Sequence, residues 1–456
     1  MAVLPLFVIG PNAILSVIGH LRGPKAVQPP NLEAVRELEV DVVIPAHNER
    51  DTVALCLASV MRQTIRPNSV TVIDDGSDDD TADVAEAFAA ANNFPVRVIR
   101  RHHSIGKTPG LKIQSRNLDG DVEFILDADT VLISENYIEV LAGQLFRVPG
   151  IASVSGMVYP LRDRDRAALG RLDSMRRLRE QHPRLDLTLR RPIFNRLAKG
   201  IANFYRDAIF QFMQAFFYAG VINLFGSMPN PVGCAVAYRR EYVREFFDHY
   251  EPAMGDNMTS SEDIFLGTAF MAQGYHNTQA LEVVARTEVP EIHKIPNQLV
   301  KWFSAWLQTA FHLPAMVASP FKALRRYRHN KQNAAVAQQR RVVDGYRQPF
   351  GLRFAHSMGR PSGWLIFFGL FEKVSFVLVI LLLILMSAWE PLVYTILFET
   401  ALFTLFLVMY SKGRRLEFAF KGVAVTPFRY AMMFVDLVVL TRFLFDLITA
   451  RRSWRK

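Results

Sequence analysis

Two carboxylates stand one residue apart in Asp127-Ala128-Asp129, where the apolar run of "VEFIL" ends. At that spacing they can share a hard divalent cation, with waters and phosphate oxygens completing its shell, and such an ion neutralises a departing diphosphate. Asp74-Asp75-Gly76-Ser77 closes an earlier apolar run in the same manner. A third run ends in Ile44-Pro45-Ala46-His47-Asn48-Glu49, where Glu49 either caps the next helix or hydrogen-bonds a nucleoside. Lys107 in Gly106-Lys107-Thr108-Pro109-Gly110 stands just before a helix start. There it suits an anionic ligand, or is simply solvated. Ser261-Glu262-Asp263 precedes the apolar IFLGTAFM and on its own reads as a helix N-cap with acids in the first turn. Gln298-Leu299-Val300-Lys301-Trp302 stands farther on, with Trp302 a candidate anchor at a membrane interface.

These residues need a scaffold that presents strand ends. From residue 39 to about 160 apolar strand patterns alternate with helical ones, among them EVDVVIPA, SVTVIDDGS, VRVIRR and VEFILDADT. That βαβα rhythm predicts a parallel α/β sheet with helices on both faces, and such sheets bind ligands outside the carboxyl ends of their strands. Both aspartate motifs fall at those ends. The strand is core and its acidic tip is a ligand edge.

The chain has 456 residues, half of them hydrophobic, and a formal net charge of +10. That length exceeds one ordinary domain. The apolar excess concentrates at residues 1–21 and beyond 364, and the predicted order follows from it: an N-terminal transmembrane helix (1–21), a linker (22–38), a catalytic domain (39–298), interfacial helices with a basic linker (299–363), a transmembrane region of two or three helices (364–450) and a basic tail (451–456). Arg22 and Lys25 place the catalytic domain in the cytoplasm by the positive-inside rule. The stretch 203–225, aromatic-rich but carrying Arg206 and Asp207, reads as a core or interfacial helix rather than a span. Whether 430–450 spans or lies in the interface is open, because it holds Asp436, Arg442 and Asp446. The basic clusters at 171–199 and 322–353 flank membrane-proximal segments and suit lipid headgroups. No zinc-finger or RNA-binding signature supports a nucleic-acid partner. The two cysteines, Cys56 and Cys234, have no metal-binding spacing and suit a reducing compartment.

Seven segments in order, IPAHNE, DDGS, GKTPGLK, DAD, PVGCAVAYRR, SED and QLVKW, resemble the processive family 2 glycosyltransferases, the membrane synthases of cellulose, hyaluronan and chitin-like polysaccharides. The resemblance implies a GT-A nucleotide-sugar domain with a Rossmann-like mixed sheet, plus transmembrane and interfacial helices. It implies a UDP-sugar donor held through Pro45, Ala46, Glu49, Asp74, Asp75, Lys107 and Asp127, with Mg2+ or Mn2+ on Asp127 and Asp129. Asp263 is then the general base, with Glu262 beside it. Gly233, Cys234, Gln298, Lys301 and Trp302 meet the acceptor, a growing β-linked glycan whose export through the chain's own helices follows. Partners in a secretion complex fit the same reading. The alternative is a non-processive transferase making a polyprenyl-phosphate sugar or glycolipid, and a non-catalytic synthase subunit stands behind it. Two positions depart from the family: Ser261 stands where threonine is usual and Lys301 where arginine is usual. Lysine keeps the charge but loses the planar fork. The basic insertion at 161–200 has no counterpart in the pattern.

Overall fold

The computed structural model describes residues 10–24, 35–183, 185, 192–254, 261–314, 361–411 and 413–449. Residues 25–34 of the expected linker (22–38), the basic stretch 315–360 and the basic tail lie outside the described residues.

The first helix, α1 (Pro11–Arg22), has 12 residues. On its own it reaches about 18 Å, short of a hydrocarbon core of about 30 Å. The rest of the expected N-terminal span, residues 1–9, is also outside the described part. Next come β1 (Val40–Ala46), α2 (Val53–Met61), β2 (Ser69–Asp74), α3 (Thr81–Asn92), β3 (Arg97–Arg100), α4 (Lys107–Asn117) and β4 (Val122–Leu126). Strands β1, β2, β3 and β4 pair in parallel, as the alternating pattern predicts.

The β-strands read as continuous apolar runs because both faces of the sheet are covered. Val42, Ile44, Phe124 and Leu126 point to one face, where Leu57, Phe88 and Leu141 pack. Val43 and Ile125 point to the other, against Leu111, Phe246 and Phe265. Beyond β4 the sheet becomes mixed, through β5 (Thr130–Leu132), α5 (Tyr137–Arg147), β6 (Ile151–Pro160), β7 (Ala235–Arg239) and β8 (His276–Thr287). The eight strands lie in the order β3-β2-β1-β4-β7-β6-β8-β5, with β7 antiparallel to both β4 and β6. Antiparallel β7 brings the PVGC turn against the end of β4, so the Asp127 amide donates to the Cys234 carbonyl (2.9 Å).

Between β6 and β7 the basic insertion forms α6 (Asp163–Gly170) and α7 (Asp173–Gln181), followed by α8 (Ile193–Phe225). Helix α8 contains the stretch 203–225 and begins ten residues earlier than Asn203. It is long and apolar enough to cross a membrane, and half of its apolar window is buried in the protein. Arg206 and Asp207 both face protein partners. The glutamines of α8 dock it on the sheet: Gln214 exchanges two hydrogen bonds with Val158 of β6, both 2.7 Å. A π-helical turn at Phe212–Tyr218 aims them there.

Helices α9 (Arg240–Met254) and α10 (Glu262–Gln273) complete the far face of the sheet, and α11 (Ile295–His312) leads away from it. The apolar end of the molecule holds α12 (Pro361–Leu385), α13 (Trp389–Met409), α14 (Arg415–Ala424) and α15 (Thr426–Ile448). The window from Gly363 to Leu385 in α12, and α13, are long and apolar enough to span; α14 and α15 pass the same test only as a pair, bent by 55°. Helix α11 packs on α15 through Phe303, Leu307 and Val439.

Candidate active site

Each acidic motif sits where a β-strand stops. At the end of β2, Gly76 has φ +69°, and a Cβ there would fall 2.6 Å from the backbone of His103, so the turn needs glycine. Asp74 accepts from the Ser77 amide (3.1 Å). Asp75 organises the loop leading to α4. It takes Arg101 Nη1 (2.7 Å), Ser104 Oγ (2.6 Å), the Ile105 amide (3.1 Å) and the Gly106 amide (2.8 Å). Burial opposes its charge, but these donors outweigh it and hold the carboxyl down at about 2. At the end of β1, the Glu49 carbonyl receives the Val53 amide (2.9 Å) at the start of α2, so the residue does cap that helix through its backbone. Its side chain accepts from Thr52 Oγ1 (2.7 Å) and is pushed up to about 8, by burial first and then by Asp129. Pro45 and Ala46 serve the turn through their carbonyls, which accept the Ala128 and Asp75 amides at 3.3 and 2.8 Å.

Asp127 and Asp129 stand between β4 and β5. Asp129 accepts from the hydroxyls of Thr130 (3.0 Å) and Thr287 (3.2 Å). Burial and the neighbouring Asp127 push it up to about 7. Asp127 is also raised, by burial first, with Lys107 opposing. Lys107 joins the two halves of the site. Its Nζ lies 2.8 Å from Asp127 Oδ1 and 2.6 Å from Glu262 Oε1, and donates to the Gly233 carbonyl at 3.4 Å. Burial works against the ammonium, but the two acids hold it well above the usual lysine range.

Asp263 opens α10 one residue after Glu262. Its Oδ1 accepts from Ser261 Oγ (2.5 Å) and its Oδ2 from the Gly233 amide (3.2 Å). A Cβ on Gly233 would fall 2.6 Å from the Asp263 side chain, so only glycine allows this approach. Burial, then Glu262, raises Asp263 to about 6. Cys234 carries its thiol beside Asp127, and burial pushes that thiol up.

The structure therefore gathers Lys107, Asp127, Gly233, Cys234, Glu262 and Asp263 into one cluster. Gln298 and Trp302, on α11, meet another partner: Arg206 of α8 donates to Gln298 Oε1 (2.6 Å) and stands 4.7 Å from the Trp302 ring centre. Lys301 is exposed on the same helix. Sequence reasoning gave no site role to Arg206, Thr287 or Glu288. Arg206 had a signal, a cation in an aromatic helix. Thr287 and Glu288 had none, since they end a long strand far from the aspartates. The insertion finds its place here too: Arg166 of α6 (2.5 Å) and Lys199 of α8 both pair with Glu288, whose amide donates to the Asp129 carbonyl (3.0 Å).

Asp127 and Asp129 suit a divalent cation. They are two partly buried acids whose charge is resisted by burial and by each other, and a cation relieves both terms. Among the described residues no group of three His, Cys, Asp or Glu side chains forms a metal cage, so water and ligand oxygens must complete the shell.

Residues 41–247 match the glycosyl transferase family 2. Over this stretch the chain is similar to family 2 glycosyltransferases. It holds the two aspartate motifs and the Gly233 turn and ends before Asp263 and α11. An N-acetylglucosaminyltransferase of Azorhizobium caulinodans is 32% identical over 138 residues, 30% of this chain and 34% of that protein. An undecaprenyl-phosphate 4-deoxy-4-formamido-L-arabinose transferase of Serratia proteamaculans is 29% identical over 94 residues, 20% of this chain and 29% of that protein. The chain thus spans about a third of the length of the curated relatives it matches. The mannosyltransferase PcManGT from Pyrobaculum calidifontis, solved with GDP-Man and Mn2+, superposes with a TM-score of 0.51 at 14% identity, covering 95% of each chain. That likeness establishes the fold: a mixed GT-A-like sheet with long apolar helices after it.

Proposed function

We propose that the protein is a membrane-embedded, inverting glycosyltransferase that takes a UDP-sugar on the cytoplasmic side and extends a β-linked polysaccharide, exporting it through its own helices. The Lys107 junction carries this reading, because it ties the Asp127 end to the Asp263 end over a few ångströms. A donor phosphate and an acceptor hydroxyl fit on either side of it. Asp127 and Asp129 would hold Mg2+ or Mn2+, and that ion supplies charge neutralisation for the diphosphate. Lys107 adds a fixed positive charge at the same end. The turn of Pro45, Ala46, Glu49, Asp74 and Asp75 forms the nucleoside side.

Asp263 takes the proton of the acceptor hydroxyl as that oxygen attacks the anomeric carbon. The Gly233 amide and Ser261 hydroxyl aim its carboxylate. A base titrating at about 6 is ionised near neutral pH and still takes a proton readily. Glu262 stays beside it as the partner of Lys107. Gln298, Lys301 and Trp302 take the acceptor end, with Trp302 stacking a sugar ring.

Transfer to a polyprenyl phosphate is the second reading. It is favoured by the seat of α11, which carries the acceptor motif directly onto the apolar helix α15. Purified protein with Mn2+ and a panel of UDP-sugars, with products sized before and after glycosidase digestion, separates the two. A polymer lost in Asp263→Asn supports a processive synthase; a single-sugar lipid supports the second reading; no turnover of any donor by folded protein ends both.

A further inference from the structure

We propose that Arg206 is a positioning residue for acceptor recognition, which sets the attitude of the Trp302 ring and the Gln298 amide. The inference rests on the reading of Gln298 and Trp302 as the acceptor end.

Arg206 is 2% exposed, yet among the described residues no carboxylate lies within ion-pair distance of it. A buried guanidinium without a counter-ion is expensive. Structural arginines in this protein are treated differently: Arg414 sits 2.8 Å from Asp207, and Arg429 pairs with Glu399. Arg206 also stands over Tyr205 (5.9 Å) and Phe210 (5.7 Å) of its own helix, but its nearest contacts are two residues of the QLVKW motif. One donor binds Gln298 Oε1 at 2.6 Å, and the guanidinium lies over the Trp302 ring at 4.7 Å.

Geometry explains why arginine serves here. The fork holds an amide oxygen while the plane covers an aromatic face; an ammonium does one or the other. Arg206 sits in the middle of α8, which is docked on β6 through Gln214. The Trp302 ring is therefore referenced to the sheet that carries the carboxylates. Trp302 remains 36% exposed, enough surface for a ligand ring. Preorganising it lowers the ordering cost of binding the acceptor.

The test uses full-length protein in detergent or nanodiscs, with the donor and acceptor that the panel above identifies. Arg206→Gln raises acceptor KM about tenfold with kcat and donor KM within about twofold, and Arg206→Lys, which keeps charge without the plane, recovers only part of that loss. In a Trp302→Ala background, Arg206→Gln adds no further loss, because both act through one contact. Independently of activity, the emission assigned to Trp302 by difference from Trp302→Phe shifts to the red and gains acrylamide quenching in Arg206→Lys. An unshifted Trp302 emission overturns the proposal. So does an Arg206 effect that adds fully to that of Trp302→Ala. If Trp302→Ala and Gln298→Ala both leave acceptor KM unchanged, the acceptor reading itself has failed. If they raise it while Arg206→Gln does not, only the role of Arg206 has failed.

Discussion

Acids are handled in opposite ways at the two ends of this protein. At the apolar end Asp207, Glu399 and Asp436 are paired with cations, while Glu372 accepts from the Asn12 amide (2.6 Å). Asp207 is 4% exposed and meets Arg162 (3.5 Å), Arg414 (2.8 Å) and Lys421; Glu399 meets Arg429, and Asp436 meets Lys373. At the sheet end Glu49, Asp127, Asp129, Glu262 and Asp263 crowd together, and Lys107 faces two of them. Burial and then Asp129 push Glu49 up to about 8, and burial and then Asp127 push Asp129 up to about 7. A satisfied network locks helices together. An electrically incomplete one, with more carboxylates than cations, holds repulsion that a bound cation relieves. Charge balance thus separates the architecture from the chemistry, although both regions are rich in ionisable residues.

Breaking the sheet end should show first in rate. Asp263→Asn is expected to lower kcat about a thousandfold with donor binding retained, read by transfer assays and by titration of UDP. Asp129→Asn is expected to cost at least about a hundredfold in kcat while raising the melting temperature of the metal-free protein, because it removes a repelled charge. A fall in melting temperature would show that the sheet end is as satisfied as the other.

The apolar end should fail in the reverse sense. Asp207→Asn is expected to destabilise by about 3 kcal/mol, since Arg414 and Lys421 lose their shared partner, and to leave the KM for donor unchanged in the surviving protein. Thermal unfolding in detergent checks the first half and steady-state kinetics the second.

Two smaller effects sharpen the comparison through pH. With Asp263 as the proposed base, kcat/KM is expected to fall as pH drops below about 6. Burial and Glu262 both raise it, so Glu262→Gln should move that acid limb to lower pH. Glu123 tests a buried acid outside the site: it is 1% exposed, neither carboxylate oxygen has a hydrogen-bond partner, and burial pushes it up to about 8. Its folded value lies above the unfolded one, so its contribution is fully present below about 4.5 and lost as pH rises through about 8. Glu123→Met is expected to gain about 2 kcal/mol at pH 9 and little at pH 4, by denaturant unfolding at the two pH values.

Much of the fold was legible because its signals are local. "VDVVI" and "VEFIL" are apolar at every position or nearly so, and a strand buried on both faces has to read that way. The acidic tips were legible because paired or closely spaced carboxylates, followed by a turn residue such as Gly76, end an apolar run rather than extend it. The full length of α8 was not legible because the partners that bury Arg206 and Asp207 lie far along the chain. Asp75 carried no mark that its four donors would come from the loop at 101–106, and Thr287 carried none at all.

The sequence by itself determined the strand ends, the order of the motifs and the presence of long apolar helices, all of which depend on neighbours along the chain. Tertiary structure alone decided which motifs meet. Lys107 and the Gly233 carbonyl are 126 positions apart and touch because β7 runs antiparallel beside β4. Arg206 reaches Gln298 across 92 positions because α8 docks on β6. Such contacts are set by strand order and helix docking. The two residues that make each contact carry no local pattern for it, since the free energy that holds them together is supplied by the packed sheet and helices around them.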